Sequence, residues 1–209
     1  GVSLTEGTDY DITCSSQDFT NAGTVQLSVT GKGIYAGTVK KTFAIEKATP
    51  TVAWAKDEIT VAYTGQPANV KPTVTLVNNQ TYSGAIHYEY GNYSGSALPT
   101  NAGTYKIKAG IAEQENYKAA VSEWLTLRID KASAPTIAYP AAGSITYGQR
   151  LSDSALTGGS TKYGTFAWES GGAVPTVNNT GYTVVFTASE ETEQNYVAIT
   201  DVTKTVPVR

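Results

Sequence analysis

Asn101-Ala102-Gly103-Thr104-Tyr105 is the stretch whose copies decide the reading of this chain. Asn21-Ala22-Gly23-Thr24 stands upstream of it, and a looser copy, Asn178-Asn179-Thr180-Gly181-Tyr182, stands downstream. Asn and Gly tolerate the positive φ that tight turns demand, so each copy reads as a turn signal. Each then opens a run that alternates apolar and polar residues. Val25, Leu27 and Val29 share one face; so do Tyr105, Ile107, Ala109 and Ile111, and so do Tyr182, Val184 and Phe186. Period two marks half-buried strands. The expected fold class is all-β.

The runs also end alike. Thr42-Phe43-Ala44-Ile45-Glu46-Lys47-Ala48 matches Thr126-Leu127-Arg128-Ile129-Asp130-Lys131-Ala132, and Thr205-Val206-Pro207-Val208-Arg209 matches both. A tyrosine precedes each ending, in Gly33-Ile34-Tyr35, Glu115-Asn116-Tyr117 and Gln194-Asn195-Tyr196. With the Lys-Ala pairs as seams, the chain divides into repeats 1–48, 49–132 and 133–209, the last two of a size usual for small β-sandwiches. Their front halves match as well: Pro50-Thr51-Val52-Ala53-Trp54 with Pro135-Thr136-Ile137-Ala138-Tyr139, and Tyr63-Thr64-Gly65-Gln66 with Tyr147-Gly148-Gln149. Residues 1–48 hold only the back half of a repeat, and a piece so short buries too little surface to stand alone. It is therefore expected to lean on the second repeat. Both seams are short and run into Pro50 or Pro135, which restrains the backbone. The expected arrangement is an extended, semi-rigid rod of β-modules with a truncated first member.

Composition narrows the function classes. The chain is 40% hydrophobic and 16% charged, enough to build cores. A formal net charge of −3 gives no basic stripe for phosphates, so neither nucleic acid nor an anionic membrane surface is an expected partner. No apolar run is long enough to predict membrane insertion. Because the sequence opens inside a repeat, it reads as a segment of a longer protein. The single cysteine, Cys14, cannot form an internal disulfide and reads as a small packed hydrophobe.

Leu4-Thr5-Glu6-Gly7-Thr8-Asp9-Tyr10, Asn21-Ala22-Gly23-Thr24 and Gly31-Lys32-Gly33-Ile34-Tyr35-Ala36-Gly37-Thr38 resemble the bacterial immunoglobulin-like repeats of large surface proteins. The second repeat, with Leu98-Pro99-Thr100-Asn101-Ala102-Gly103-Thr104-Tyr105 and Asn116-Tyr117, is similar to the MBG/YDG-type class, and the third looks like a more distant relative. The resemblance implies tandem immunoglobulin-like β-sandwich modules, extracellular or on a bacterial cell surface. It implies a stalk or adhesin, with neighbouring repeats and a protein or glycan ligand as partners. The matched motifs are turn-and-strand signatures rather than site signatures.

Catalytic chemistry finds little support. The only histidine, His87, faces away from Ile86, Tyr88 and Tyr90 and reads as a strand surface residue. No Gly-x-Ser-x-Gly elbow and no phosphate-loop order occurs; Gly31-Lys32-Gly33 and Gly158-Gly159 read as hairpin turns. The acidic groups Glu113 with Glu115, and Glu190, Glu191 and Glu193, fall where solvated loops are expected, with a weak calcium site as the second reading. One His and one Cys do not make a zinc site. No enzyme activity, cofactor or metal is expected. The sequons Asn79-Gln80-Thr81 and Asn92-Tyr93-Ser94 read as turn residues in a bacterial protein.

Aromatic residues supply the only candidate ligand contacts. Tyr35, Tyr117 and Tyr196 recur in every repeat, which points to a structural corner rather than a ligand. Trp54 matches Tyr139, and Trp168 matches Tyr88, as shared packing positions. Trp124 is different: its counterparts are Lys40 and Thr203, and it falls on the polar phase with Ser122, Thr126 and Arg128, opposite Val121, Leu125, Leu127 and Ile129. An exposed Trp there either stacks on a sugar or anchors a protein contact, or it packs against a neighbour. Tyr90 and Tyr93 are the aromatics expected to join it. The leading expectation is a non-enzymatic spacer or adhesive segment, and the alternative is a carbohydrate-binding module.

Overall fold

A computed structural model describes residues 1–16, 19–77, 80 and 82–209, so Asn79 and Thr81 of the first sequon lie outside the described residues. The described chain is almost entirely strand and loop. Its one α-helix, α1 (Glu190–Asn195), has six residues. Two compact units emerge: Gly1–Asp57 with Val70–Gly91 and Ile107–Leu125, and Glu58–Asn69 with Asn92–Lys106 and Thr126–Arg209. Their limits do not follow the Lys-Ala seams. Each unit instead encloses one seam.

In the first unit, β1 (Tyr10–Cys14), β2 (Gly23–Gly31) and β3 (Thr38–Ile45) form an antiparallel sheet in that order. Leu27 stands opposite both Cys14 and Lys41. Only Val25 of the apolar β2 face is fully buried, while Ile12, Val39 and Phe43 on the flanking strands are exposed. The same unit holds β4 (Thr51–Ala53), paired with β6 (Thr73–Thr75), and β7 (Ile86–Tyr90), paired with β8 (Gly103–Ile111) over residues 107–111. Val52 from β4 meets Ala109 and Ile111 from β8, with Trp54, Val74, Ile86 and Tyr88 packed around them. Trp54 and Tyr88 stack at 6.5 Å between centroids. Alternation thus delivers its apolar face to a real core.

The alternation also shifts phase at residues 121–125. Val121 was expected on the apolar phase with Leu125, Leu127 and Ile129, yet Val121 is 56% exposed and Ser122 is 2% exposed. The strand is broken: β9 (Ala120–Val121) pairs with β8, and β10 begins only at Leu125 and runs to Asp130. Ser122 explains the break. Its N–H donates to the Ala109 carbonyl at 2.8 Å, and its Oγ accepts from the Ala109 N–H at 3.0 Å while donating to the Glu123 carbonyl at 2.7 Å. A hydroxyl has replaced a backbone partner, which satisfies the strand while shifting its phase.

In the second unit, β5 (Glu58–Ala62) runs parallel to β10, with Ile59 opposite Leu127 and Val61 opposite Ile129. Such parallel pairing needs a long crossover, here most of the second repeat. The strands β11 (Ala141–Ala142) and β12 (Leu156–Thr157) pair with each other. An antiparallel sheet follows in the order β13 (Gly164–Trp168), β14 (Tyr182–Ala188), β15 (Thr203–Val206). Phe166 and Phe186 are directly opposed and their rings lie 5.1 Å apart, with Tyr139 5.3 Å from Phe166. Leu127, Leu151 and Val184 are fully buried in this unit.

The expected loop at Glu190, Glu191 and Glu193 is instead α1. The Ser189 hydroxyl accepts from the Thr192 N–H at 3.2 Å, and the three glutamates fill the first turn, where carboxylates oppose the helix dipole favourably. The helix is too short to show an amphipathic stripe, which is why periodicity missed it. Among the described residues no helix is long and apolar enough to cross a membrane.

Candidate functional site

The residues that recur as a constellation are an asparagine, a turn and a seam. In the first unit, Asn116 Oδ1 accepts the Ala22 N–H at 2.7 Å and Asn116 Nδ2 donates to Asn21 Oδ1 at 2.7 Å. The backbone continues the grip: the Ala48 N–H donates to the Asn116 carbonyl, and the Lys118 N–H donates to the Ala48 carbonyl, both at 2.9 Å. In the second unit, Asn195 Oδ1 accepts the Ala102 N–H at 2.7 Å, and Asn195 Nδ2 donates to Asn101 Oδ1 at 3.2 Å and to the Glu191 carbonyl at 3.0 Å. There the Ala132 N–H donates to the Asn195 carbonyl at 2.9 Å, and the Val197 N–H to the Ala132 carbonyl at 2.8 Å. The chain has built one clamp twice. An amide suits it because one planar group offers an acceptor and two donors side by side.

Lysine completes each clamp. Lys47 Nζ lies 2.6 Å from Glu113 Oε1 and 2.8 Å from the Gln114 carbonyl, and Lys131 Nζ lies 2.6 Å from the Glu193 carbonyl. The hydrogen bond from Lys47, and then its charge, hold the Glu113 carboxyl below the ordinary glutamate range. Any stability this pair adds is therefore present above the unfolded glutamate pKa and is lost as pH falls through the lowered folded value. Lys47→Ala is expected to flatten that acid dependence while changing neutral stability little, as measured by unfolding from pH 7 down to pH 3, since both side chains face solvent.

Two of the three recurrent tyrosines sit at these joints. Tyr117 pairs with Ala48 and its hydroxyl donates to Gln80 Oε1 at 3.1 Å, and Tyr196 pairs with Ala132. Tyr196 also meets the rings of Tyr63 and Tyr163 edge-on, each at 5.5 Å. Burial first, then the neighbouring Tyr196 and Glu191, push the Tyr63 phenol up from its usual value. Tyr35 follows Ile34, which is 92% exposed and has no amide to offer a turn. The sequence displayed both halves of the clamp, the Asn-Ala turn and the Asn-Tyr pair, at matching positions. Repetition alone marks the tyrosine, whereas the asparagine beside it makes the side-chain bonds of the clamp. The signal that finds it is the joint recurrence of the two motifs in consecutive repeats.

Comparison with family models, with curated proteins and with solved structures finds no match.

Trp124 is exposed at 41%, and Lys108 Nζ lies 5.0 Å from its ring centroid. Lys108 stands opposite Glu89 in the strand register. Tyr90 stands opposite Ile107, which is fully buried. Successive residues on a strand point to opposite faces, so Tyr90 belongs to the face of β8 away from Lys108 and Trp124. Tyr93, in the second unit, is half-buried with its ring 5.5 Å from that of Tyr105. Burial, and next the Tyr93 neighbour, push the Tyr105 phenol up. Trp124 and Tyr90 do not share one face. Among the described residues, no three His, Cys, Asp or Glu side chains group as a metal site.

Proposed function

We propose that this chain is a non-enzymatic spacer and adhesive segment of a bacterial cell-surface protein, built of tandem immunoglobulin-like β-sandwich modules. The single observation that carries the reading is the repeated clamp: Asn116 and Asn195 grip successive Asn-Ala turns with the same set of hydrogen bonds. A chain that repeats its joints, rather than a cleft, is organised for continuity between modules. The short seams ending in Pro50 and Pro135 favour an extended arrangement, which suits presentation of a functional region away from a surface. Placement outside the cell and the MBG/YDG-type kinship rest on the motif resemblance and belong to the same proposal, as do contacts with host or matrix components.

Trp124 favours a second reading, a carbohydrate-binding module, because an exposed indole beside a lysine suits a sugar ring. A glycan-array screen of the intact chain beside Trp124→Ala separates the two. The spacer reading expects no specific glycan signal from either protein. Specific binding by the intact chain that disappears in a folded Trp124→Ala variant would overturn it in favour of the carbohydrate module.

A further inference from the structure

We propose that the outer edge of β3, over residues 42–45, receives one further strand in parallel. The occupant is an extended segment of a partner protein, with acidic residues at its start and apolar-Thr-apolar alternation after them. The inference rests on the adhesive part of the reading above and names its contact surface and partner class. β3 is the last strand of the β1-β2-β3 sheet, and among the described residues no strand pairs with its outer side. The filled version of this edge stands in the same chain. Thr42-Phe43-Ala44-Ile45-Glu46 matches Thr126-Leu127-Arg128-Ile129-Asp130, and along that stretch β10 carries β5 in parallel.

Backbone direction fixes which groups this edge offers. The Gln26 N–H donates to Ser15 Oγ at 2.8 Å, and the Gln26 carbonyl accepts the Ser15 N–H at 2.9 Å. Both groups of Gln26 thus face the β1 side, and Thr42, its partner in β3, forms a non-bonded pair with it. Thr42 therefore turns its own N–H and carbonyl outward, and Ala44 does the same, while Phe43 between them faces β2. The filled edge agrees. The Asp130 carbonyl accepts the Tyr63 N–H at 2.8 Å, so Asp130, and by alternation Arg128 and Thr126, face the β5 side. Those last two are the counterparts of Ala44 and Thr42. A row of outward N–H and C=O groups is a template for strand addition. The side chain beside it is uncovered too: Phe43 is 44% exposed, whereas its counterpart Leu127, opposite Ile59 of β5, is fully buried.

Charge selects the partner. Lys40 and Lys41 stand just before the pairing stretch, both exposed, and among the described residues neither joins an ion pair. In the filled edge Glu58 stands opposite Thr126, the counterpart of Thr42, and Asp57 precedes it. A strand of that type brings two carboxylates to the place where β3 has two lysines, and opposite charges on neighbouring strands favour pairing. Lysines on an edge deter pairing between like edges, so a second copy of β3 is disfavoured while an acidic strand is welcome. The chain's own β5 is already engaged with β10. Main-chain bonds supply the affinity in such an addition and alternate side chains the specificity, so the contact needs no cleft.

The probe is a synthetic peptide, Asp57-Glu58-Ile59-Thr60-Val61-Ala62-Tyr63, capped at both ends and added in excess to the intact chain. Amide exchange is expected to slow by roughly tenfold at Thr42 and Ala44, with Lys41 and Phe43, already turned to β2, unchanged. That alternation separates strand addition from contact on a sheet face. Ala44→Pro removes an outward N–H and no ladder bond, and it is expected to abolish the effect. Lys41→Glu, a change at the surface, is expected to weaken it. No slowing at Thr42 and Ala44, in a chain whose β2 amides stay protected, would overturn the proposal. Slowing seen only when the same peptide is tethered ahead of Gly1 would overturn it in favour of an intramolecular strand. Slowing that grows with chain concentration in the absence of peptide would overturn it in favour of a second copy. Each of these results leaves the spacer and adhesive reading standing, because the glycan array tests that reading separately.

Discussion

Asn195→Ala is expected to loosen the second unit by about 2–4 kcal/mol, a large effect for one surface-module residue. Asn195 is fully buried, and its side chain is the acceptor for the Ala102 N–H and the donor to Asn101 Oδ1 and the Glu191 carbonyl. Truncation removes all three bonds at once and leaves a cavity into which those groups point. Asn195 itself is the buried member of the joint, while Asn101 and Glu191 lie at the surface, so the loss falls chiefly on the site of the amide. The partner truncation Asn101→Ala removes only one of these bonds, and a double-mutant cycle between the two positions isolates the coupling. Because the chain has more than one compact unit, a global melting temperature is a blunt reading. Native-state hydrogen exchange over residues 101–105 reads the effect locally. A loss below about 1 kcal/mol would mean that the amide contributes no more than an ordinary surface hydrogen bond. Asn116→Ala in the first unit is expected to cost less, since Asn116 is only half-buried.

Ile111→Ala is expected to destabilise the first unit by about 2–5 kcal/mol, and Ile111→Val by about 0.5–1.5 kcal/mol. Ile111 is 1% exposed and meets Val52 and Ala109 in a core that also holds Trp54 and Tyr88. Its buried neighbours Val52 and Ala109 are small and fill little of the space left behind. Urea unfolding gives the measurement, with a falling midpoint at unchanged slope as the expected result. A midpoint shift for Ile111→Ala no larger than that for Ile111→Val would show that this core collapses freely.

Much of this architecture was legible in the residues. The alternation from Tyr105 to Ile111 sends Ile107, Ala109 and Ile111 inward, because period-two patterning and burial are the same constraint seen twice. The turns were legible for a similar reason: Gly158 and Gly159 adopt φ of +79° and +84°, which few other residues accept. What stayed hidden depends on partners distant in sequence. Trp124 could be placed on a polar phase, but that Tyr90 faces the other way follows from its register against Ile107. The phase shift at Val121 required the Ser122 hydroxyl to find Ala109 on another strand. The short helix at Glu190–Asn195 is set by a cap and a few charges, too local for periodicity and too brief for a stripe.

The sequence by itself therefore determined the all-β character, the repeating turns and the inward faces, since these follow from side-chain period and backbone permissiveness within a few residues. Tertiary structure alone decided that Asn116 and Asn195 are the clasps. Each meets a turn more than ninety residues away, and only a folded chain can bring an amide to a backbone N–H at that separation.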